Sequence, residues 1–477
     1  MLRALESLAE VASRTSTAKN VDTNSVLFTG HSNGGYGAWF FATHYPDWTL
    51  GVAPLAGMST IGTTEGRRRP PAGTDAKVWA VLDKTLDEYR GDNLVRNLVG
   101  KPFLARTGDL DRVIAPSQTL RMADLLRGAG VALTRVNGGS FVSKAEDVSV
   151  VVVPGKEHWW WDTKKTNDGG ALDDAELRKF YKRAHKKRKK TASKDRISEE
   201  GRLWDFICHN PVSCGSRGGV RILQQVVIGT VSVVSKTGRN SLITTNVARI
   251  SLSSDEGIAS DGISIDGTVF SQQHECNLKG QTDECQANQH REFCLGQSGG
   301  VPQWSQCADS LSPTTRSALS GAGPLRRVLS SKLLLCHTGR AVHYKAALDF
   351  AKDWYAVGGG TARLDTTASC TPQGGEHVIH FGMSAPHGYH IGPCDFSGRR
   401  DIGIVSLQPG LSAYIAGQSD DAFVAAVDAF RSDLFVTNSW QHRLPDWVVI
   451  GKGGVYLAAG HWSNTWELEE ETSVLKC

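Results

Sequence analysis

In the first third of the chain, short and nearly unbroken apolar runs end in glycine and alternate with stretches of helical periodicity. The runs at 26–30, 50–57, 103–108 and 148–155 lack the inside–outside alternation of a half-buried strand. Such runs suit strands covered on both faces of a parallel sheet. Helical spacing between them predicts helices over 33–44, 78–98 and 116–127. This β-α-β-α order argues for α/β architecture over residues 1–175. At the start, Leu2, Leu5, Leu8, Ala9 and Val11 fall at helical spacing, interrupted by Arg3, Glu6, Glu10 and Arg14. That stretch reads as a helix of the folded domain, since it lacks the apolar centre of a secretory signal.

A basic run from Arg178 to Lys190 follows, with Asp173, Asp174 and Glu176 ahead of it. Acid at the start and lysine at the end complement a helix dipole. The run therefore reads as the last helix of the first unit, fraying into a linker over 176–199, rather than as a nuclear-import or phosphate-binding patch. Residues 200–275 change character. The segments 226–234, 241–252 and 263–270 are β-branched and partly alternating, with turn signals at 236–240 and 254–262. They predict a mostly β region. The polar, cysteine-bearing stretch 276–322 reads as a loop or linker. From 323 to 477 the α/β pattern returns, with strands expected at 332–336, 377–382, 412–417 and 446–451 and helices at 344–357 and 420–431.

Composition narrows the picture only slightly. A net charge of +4 over 477 residues implies neither a nucleic-acid nor a membrane partner, and no run approaches the ~20 apolar residues of a membrane helix. Of ten cysteines, Cys276, Cys285, Cys294 and Cys307 cluster, but without paired C-x-x-C spacing. Disulfides fit that spacing better than a zinc site, and no metal or cofactor is expected. Disulfides would imply an oxidising compartment.

The chemistry concentrates in three loops. Gly30-His31-Ser32-Asn33-Gly34 satisfies G-x-S-x-G between the strand at 26–30 and the helix at 33–44. A serine at a sharp strand-to-helix turn exposes its hydroxyl, and the flanking glycines remove Cβ clashes. Ser32 is the candidate nucleophile, and the Asn33 N–H is a candidate oxyanion donor at the helix start. A serine needs a base, and Gly155-Lys156-Glu157-His158-Trp159 supplies His158 just beyond an apolar strand. The following Trp159-Trp160-Trp161 reads as a wall or floor of the site. The loop Gly108-Asp109-Leu110-Asp111 offers two carboxylates to orient the imidazole. Asp111, further out on the loop, is preferred, with Asp109 as runner-up. The chain order Ser, Asp, His is that of α/β-hydrolases.

The run Gly30-His31-Ser32-Asn33-Gly34-Gly35-Tyr36-Gly37-Ala38-Trp39, with Thr43-His44-Tyr45-Pro46-Asp47 after it, resembles the nucleophile region of prolyl-oligopeptidase-like serine peptidases. The Gly108–Val113 and Gly155–Trp160 loops resemble the same family's acid and histidine loops. The resemblance covers about residues 1–170. It implies Ser32 as nucleophile, Asp111 as acid and His158 as base, acting on peptide or ester bonds without a cofactor. Residues further along resemble, more weakly, the C-terminal extension of a subgroup of these proteins.

An α/β-hydrolase sheet ordinarily has several strands before the nucleophile strand, one of which supplies a second oxyanion donor. Here Ser32 follows a single expected helix, so the sheet reads as N-terminally truncated. Losing one donor costs about 10²–10³ in rate. A non-enzymatic binding protein that retains a degenerate hydrolase scaffold is therefore the alternative expectation.

Overall fold

The computed structural model describes residues 7, 9–12, 14, 22–60, 70–143, 147–161, 174–194, 203–253, 262–271, 290–307, 325–358, 360–435 and 444–477. Residues 7, 9–12 and 14 are helical, with Arg14 paired to Glu10; the rest of the expected first helix lies outside the described residues.

The first unit is a six-stranded sheet. In chain order its elements are β1 (Val26–His31), α1 (Asn33–His44), β2 (Thr49–Leu55), α2 (Ala76–Lys84), β3 (Phe103–Gly108), α3 (Pro116–Gly128), β4 (Thr134–Arg135), β5 (Phe141–Ser143), β6 (Val148–Val153) and α4 (Ala175–Lys194). The strand order is β1-β2-β3-β6-β5-β4, parallel from β1 to β6 and antiparallel beyond. β3 is buried along its whole length, as the unbroken run 103–108 requires. Trp39, Phe103, Met122 and Leu126 share one core cluster of this unit. Phe180 of α4 joins Ala53 and Leu55 of β2 in a second cluster, and Gly51 leaves room for that ring. Arg106, almost fully buried on β3, pairs with Asp174 at the head of α4.

One expected helix is broken. Residues 78–98 form α2 and then two short 3₁₀ turns, Asp87–Tyr89 and Val95–Leu98. Gly91 between them passes so close to the Ser59 carbonyl that a Cβ would sit 2.8 Å from its oxygen, a contact the uninterrupted helix would not make. Val78 and Leu82 of α2 are fully buried, but in a cluster with Leu333, Phe350 and Phe430 of the C-terminal region.

The β region contains β7 (Trp204–Cys208), β8 (Val220–Gln224), β9 (Ser232–Gly238), β10 (Ser241–Thr245), β11 (Arg249–Ser253), β12 (Ile263–Ile265), β13 (Thr268–Phe270), β14 (His290–Ser298) and β15 (Val301–Gln306). The sheets β13-β12-β10-β9-β7 and β15-β14-β11-β8 share a core built from Phe206, Val234, Leu242, Ile222, Ile250 and Phe293, which makes a sandwich. Three expectations change here. The run 241–252 splits into β10 and β11, because Asn246 adopts a positive φ of 54° and its amide bonds to Val227 and Thr230. The expected strand at 226–234 begins only at Ser232; before it, Gly229 runs against the His461 ring. Residues 290–306, read from their polarity as part of a linker, form the β14–β15 hairpin. On β15 only Trp304 is buried, so one inward side chain anchors an otherwise exposed edge strand. Cys294 and Cys307 are disulfide-bonded across this hairpin; Cys276 and Cys285 lie outside the described residues. Cys208–Cys214, Cys336–Cys370 and Cys394–Cys477 are also paired.

The C-terminal region contains β16 (Leu333–His337), α5 (Ala341–Asp353), β17 (Ala362–Thr366), β18 (His377–Phe381), β19 (His390–Ile391), β20 (Cys394–Asp395), β21 (Gly403–Gln408), β22 (Ser412–Gly417), α6 (Asp420–Phe435), β23 (Trp447–Ile450) and β24 (Tyr456–Gly460). Its seven-stranded sheet runs β17-β16-β18-β22-β21-β23-β24, parallel through β22 and antiparallel beyond it. Residues of α5 and α6 pack in one cluster with Leu333, Leu335, Ile379 and Phe381.

The sandwich is bonded to the back of the first unit. The Asn97 side chain donates to the Thr43 and Ile207 carbonyls and accepts from the Ile207 N–H. Arg217 donates to the carbonyls of Arg96 and Val99, and Asp47 accepts from the Gly218 and Gly219 amides. All of these partners lie away from the serine-bearing turn, so the sandwich leaves that edge of the sheet uncovered by these contacts.

Candidate active site

The site grows from the C-terminal ends of β1, β3 and β6. Ser32 sits between β1 and α1 with φ 57° and ψ −117°, a conformation that non-glycine residues rarely hold. Two contacts enforce it. The Ser32 N–H donates to the Leu55 carbonyl at 3.0 Å, tying the turn to the end of β2. The Gly30 backbone lies so near Gly34 that a Cβ on Gly30 would stand 2.4 Å from the Gly34 carbonyl carbon. The helical ladder opens with Tyr36 N–H donating to the Ser32 carbonyl. The Asn33 N–H precedes that first bond and so has no acceptor within α1.

His158 begins a 3₁₀ turn, His158–Trp161, just beyond β6. Its Nε2 is 2.9 Å from Ser32 Oγ and its Nδ1 is 2.8 Å from Asp111 Oδ2. Asp111 is held in turn: its Oδ1 accepts from the Val113 and Ile114 N–H groups at 2.9 and 2.8 Å. Asp111 and His158 are 4% and 2% exposed, so water competes little for their mutual bond. A carboxylate on Nδ1 assigns the proton to that nitrogen, which leaves the Nε2 lone pair to accept from the Ser32 hydroxyl.

Asp109, the other carboxylate of that loop, faces elsewhere. Its Oδ1 accepts from the Lys156 N–H at 3.3 Å, and the Leu110 N–H donates to the Lys156 carbonyl. These bonds stitch the acid loop to the histidine loop. Gly108 permits the stitch, since a Cβ there would stand 2.1 Å from the Lys156 oxygen.

His31 was named in the serine motif without a role, and the fold gives it one. Its Nε2 lies 2.8 Å from the His158 carbonyl oxygen, so the Nε2–H donates to the His158 backbone. The two imidazoles are 4.7 Å apart, and the Trp159 ring stands edge-on to both. The position immediately before the serine, on a strand whose end faces the histidine loop, was the available signal. Of the three expected tryptophans, Trp159 walls the base while remaining exposed, and Lys156 Nζ lies 5.1 Å over the Trp160 ring. Among the described residues no group of three or more His, Cys, Asp or Glu is arranged to hold a metal ion, and no helix is long and apolar enough to cross a membrane.

A parallel sheet carrying a serine on a strained strand-to-helix turn, with an acid and a histidine on later strand ends, defines an α/β-hydrolase unit. Residues 3–195 match the prolyl oligopeptidase family. The chain is 28% identical over 137 residues to an uncharacterized secreted protein of Arthroderma benhamiae, an alignment covering 28% of this chain and 13% of that one. The chain thus spans about an eighth of the length of that curated relative. Among solved structures it is similar to Est1E from Butyrivibrio proteoclasticus, with 16% identity over 40% of this chain and 70% of that one and a TM-score of 0.23. It is also similar to the esterase domain of a Rhodothermus marinus protein, with 17% identity over 33% of this chain and 60% of that one and a TM-score of 0.20.

Proposed function

We propose that the chain is a serine hydrolase that cleaves peptide or ester bonds by acyl transfer. The observation that carries this reading is the unbroken hydrogen-bonded series from Ser32 Oγ through His158 to Asp111, with distances of 2.9 and 2.8 Å. In it, Ser32 Oγ attacks the substrate carbonyl carbon while its proton passes to His158 Nε2. The resulting imidazolium faces the Asp111 carboxylate. The bond from the carbonyl carbon to the leaving oxygen or nitrogen then breaks, and that atom takes the proton from Nε2. Water, deprotonated by the same nitrogen, attacks the acyl carbon; the bond to Ser32 Oγ breaks, Oγ takes the proton back from Nε2, and the acid is released. The Asn33 N–H, at the positive end of α1, is the candidate donor to the oxyanion.

Four disulfides among the described residues favour an oxidising compartment for this chain, in keeping with the word secreted in the description of the fungal relative.

A fluorophosphonate probe tests the reading. The wild-type chain should be labelled and Ser32→Ala should not. Equal labelling of the two proteins, or none in either, would leave a scaffold without this chemistry.

A further inference from the structure

We propose that the site selects its substrate through an apolar leaving group, with Trp159 as the specificity-determining wall; this rests on the acyl-transfer reading above. Four large apolar side chains stand exposed on the two loops that carry the acid and the base. Leu110 and Val113 flank Asp111 and are each 52% exposed; Trp159 and Trp160 follow His158 and are 63% and 39% exposed. The Leu110 N–H donates to the Lys156 carbonyl, which binds the two loops together. Solvent-facing tryptophan is costly unless something apolar covers it.

The chemistry identifies the occupant. In acylation the proton leaves His158 Nε2 for the departing oxygen or nitrogen, so the leaving group must stand beside the imidazole. One neighbour of that imidazole is the nucleophile. Another is Trp159, whose ring centroid is 4.8 Å away at an interplanar angle of 86°. His31 closes the same corner, 5.9 Å from Trp159. A group attached directly to the leaving atom therefore meets the indole. Of the two acid-loop carboxylates, Asp111 is buried behind His158, and Asp109 accepts from the Lys156 N–H. The Lys156 ammonium lies 5.1 Å over the Trp160 ring. The leaving group that fits an indole wall is apolar: the aryl or branched alkyl alcohol of an ester, or a peptide whose first residue after the scissile bond is apolar.

The test holds the acyl group constant and varies the leaving group, so that one acyl-enzyme serves each series. A methyl and a benzyl ester of the same acid form the first arm. A peptide pair with glycine or leucine directly after the scissile bond forms the second, and the arm with the larger preference identifies the source. In the wild type, kcat/KM should favour the apolar member by at least about tenfold. The preference belongs to acylation, so kcat should differ less than kcat/KM wherever deacylation limits turnover. Trp159→Ala should reduce the ratio to about one and Trp159→Phe should retain most of it, while labelling by fluorophosphonate shows that each variant still assembles the site. An unbiased wild type, or a ratio untouched in Trp159→Ala, overturns the proposal and leaves the hydrolase reading standing. Absence of both labelling and turnover removes the two together.

Discussion

Asp111 holds His158 with one carboxylate oxygen and is itself held by two backbone N–H groups through the other. The acid thus has no freedom to rotate away from the imidazole. Replacing it by asparagine places an amide against Nδ1 and favours the wrong tautomer at Nε2. Asp111→Asn should lower kcat by about 10³–10⁴ on any substrate the wild type turns over. Asp109→Asn, which keeps an acceptor for the Lys156 N–H, should cost less than about tenfold by the same assay.

His31 is bonded to the backbone of His158, the proposed base. Its ring donates to the His158 carbonyl, so losing that donor frees the loop without touching the imidazole nitrogens. His31→Ala should reduce kcat about ten- to hundredfold, with a smaller change in KM, because misplacement of the base weakens proton transfer more than binding. His31→Gln, whose side-chain amide can reach the same carbonyl, should recover part of the loss. Steady-state kinetics on the three proteins decide between this positioning role and simple packing, which glutamine would not restore.

Gly108 couples stability to activity. A methyl group there would overlap the Lys156 carbonyl, and neither backbone has a side-chain rotamer with which to escape. Gly108→Ala should destabilise the first unit by about 1–3 kcal/mol. It should also slow fluorophosphonate labelling, since the displaced segment leads directly into His158. Thermal unfolding and labelling rate, measured on one preparation, check both effects.

The C-terminal region should lose stability in mild acid. Burial lowers the pKa of His380 to about 4, and its ring stacks on Tyr414 at 4.3 Å. His343, His377 and His387 are lowered by burial as well. A histidine whose folded pKa lies below its unfolded value of about 6.5 binds its proton more readily when unfolded. Its contribution is therefore complete above pH ~6.5 and lost as the pH falls toward 4. The midpoint of thermal unfolding should decline over that window, and His380→Phe should make the decline shallower. A midpoint that rises between pH 6.5 and 4 would contradict this assignment.

Much of the site was legible because its signals are local. The strand, serine turn and helix at residues 26–44 lie in one continuous stretch, and close backbone approach demands glycine at positions 30 and 35. The helix bounds 33–44 and the strand bounds 103–108 and 412–417 coincide with the observed elements for the same reason: apolar periodicity records which face of each segment is covered. The β14–β15 hairpin escaped notice because a two-faced polar strand needs only one or two inward anchors, here Phe293 and Trp304.

The sequence by itself determined that a serine, two aspartates and a histidine would emerge at strand ends in hydrolase order. Only the tertiary structure separated the aspartates, since their local contexts are nearly alike and the difference lies in partners 47 residues away, Lys156 for Asp109 and His158 for Asp111. Only it showed that His31 bonds the His158 backbone, and that α2 buries Val78 and Leu82 in the C-terminal core. Periodicity records that a side chain is covered; what covers it depends on how segments hundreds of residues apart are brought together.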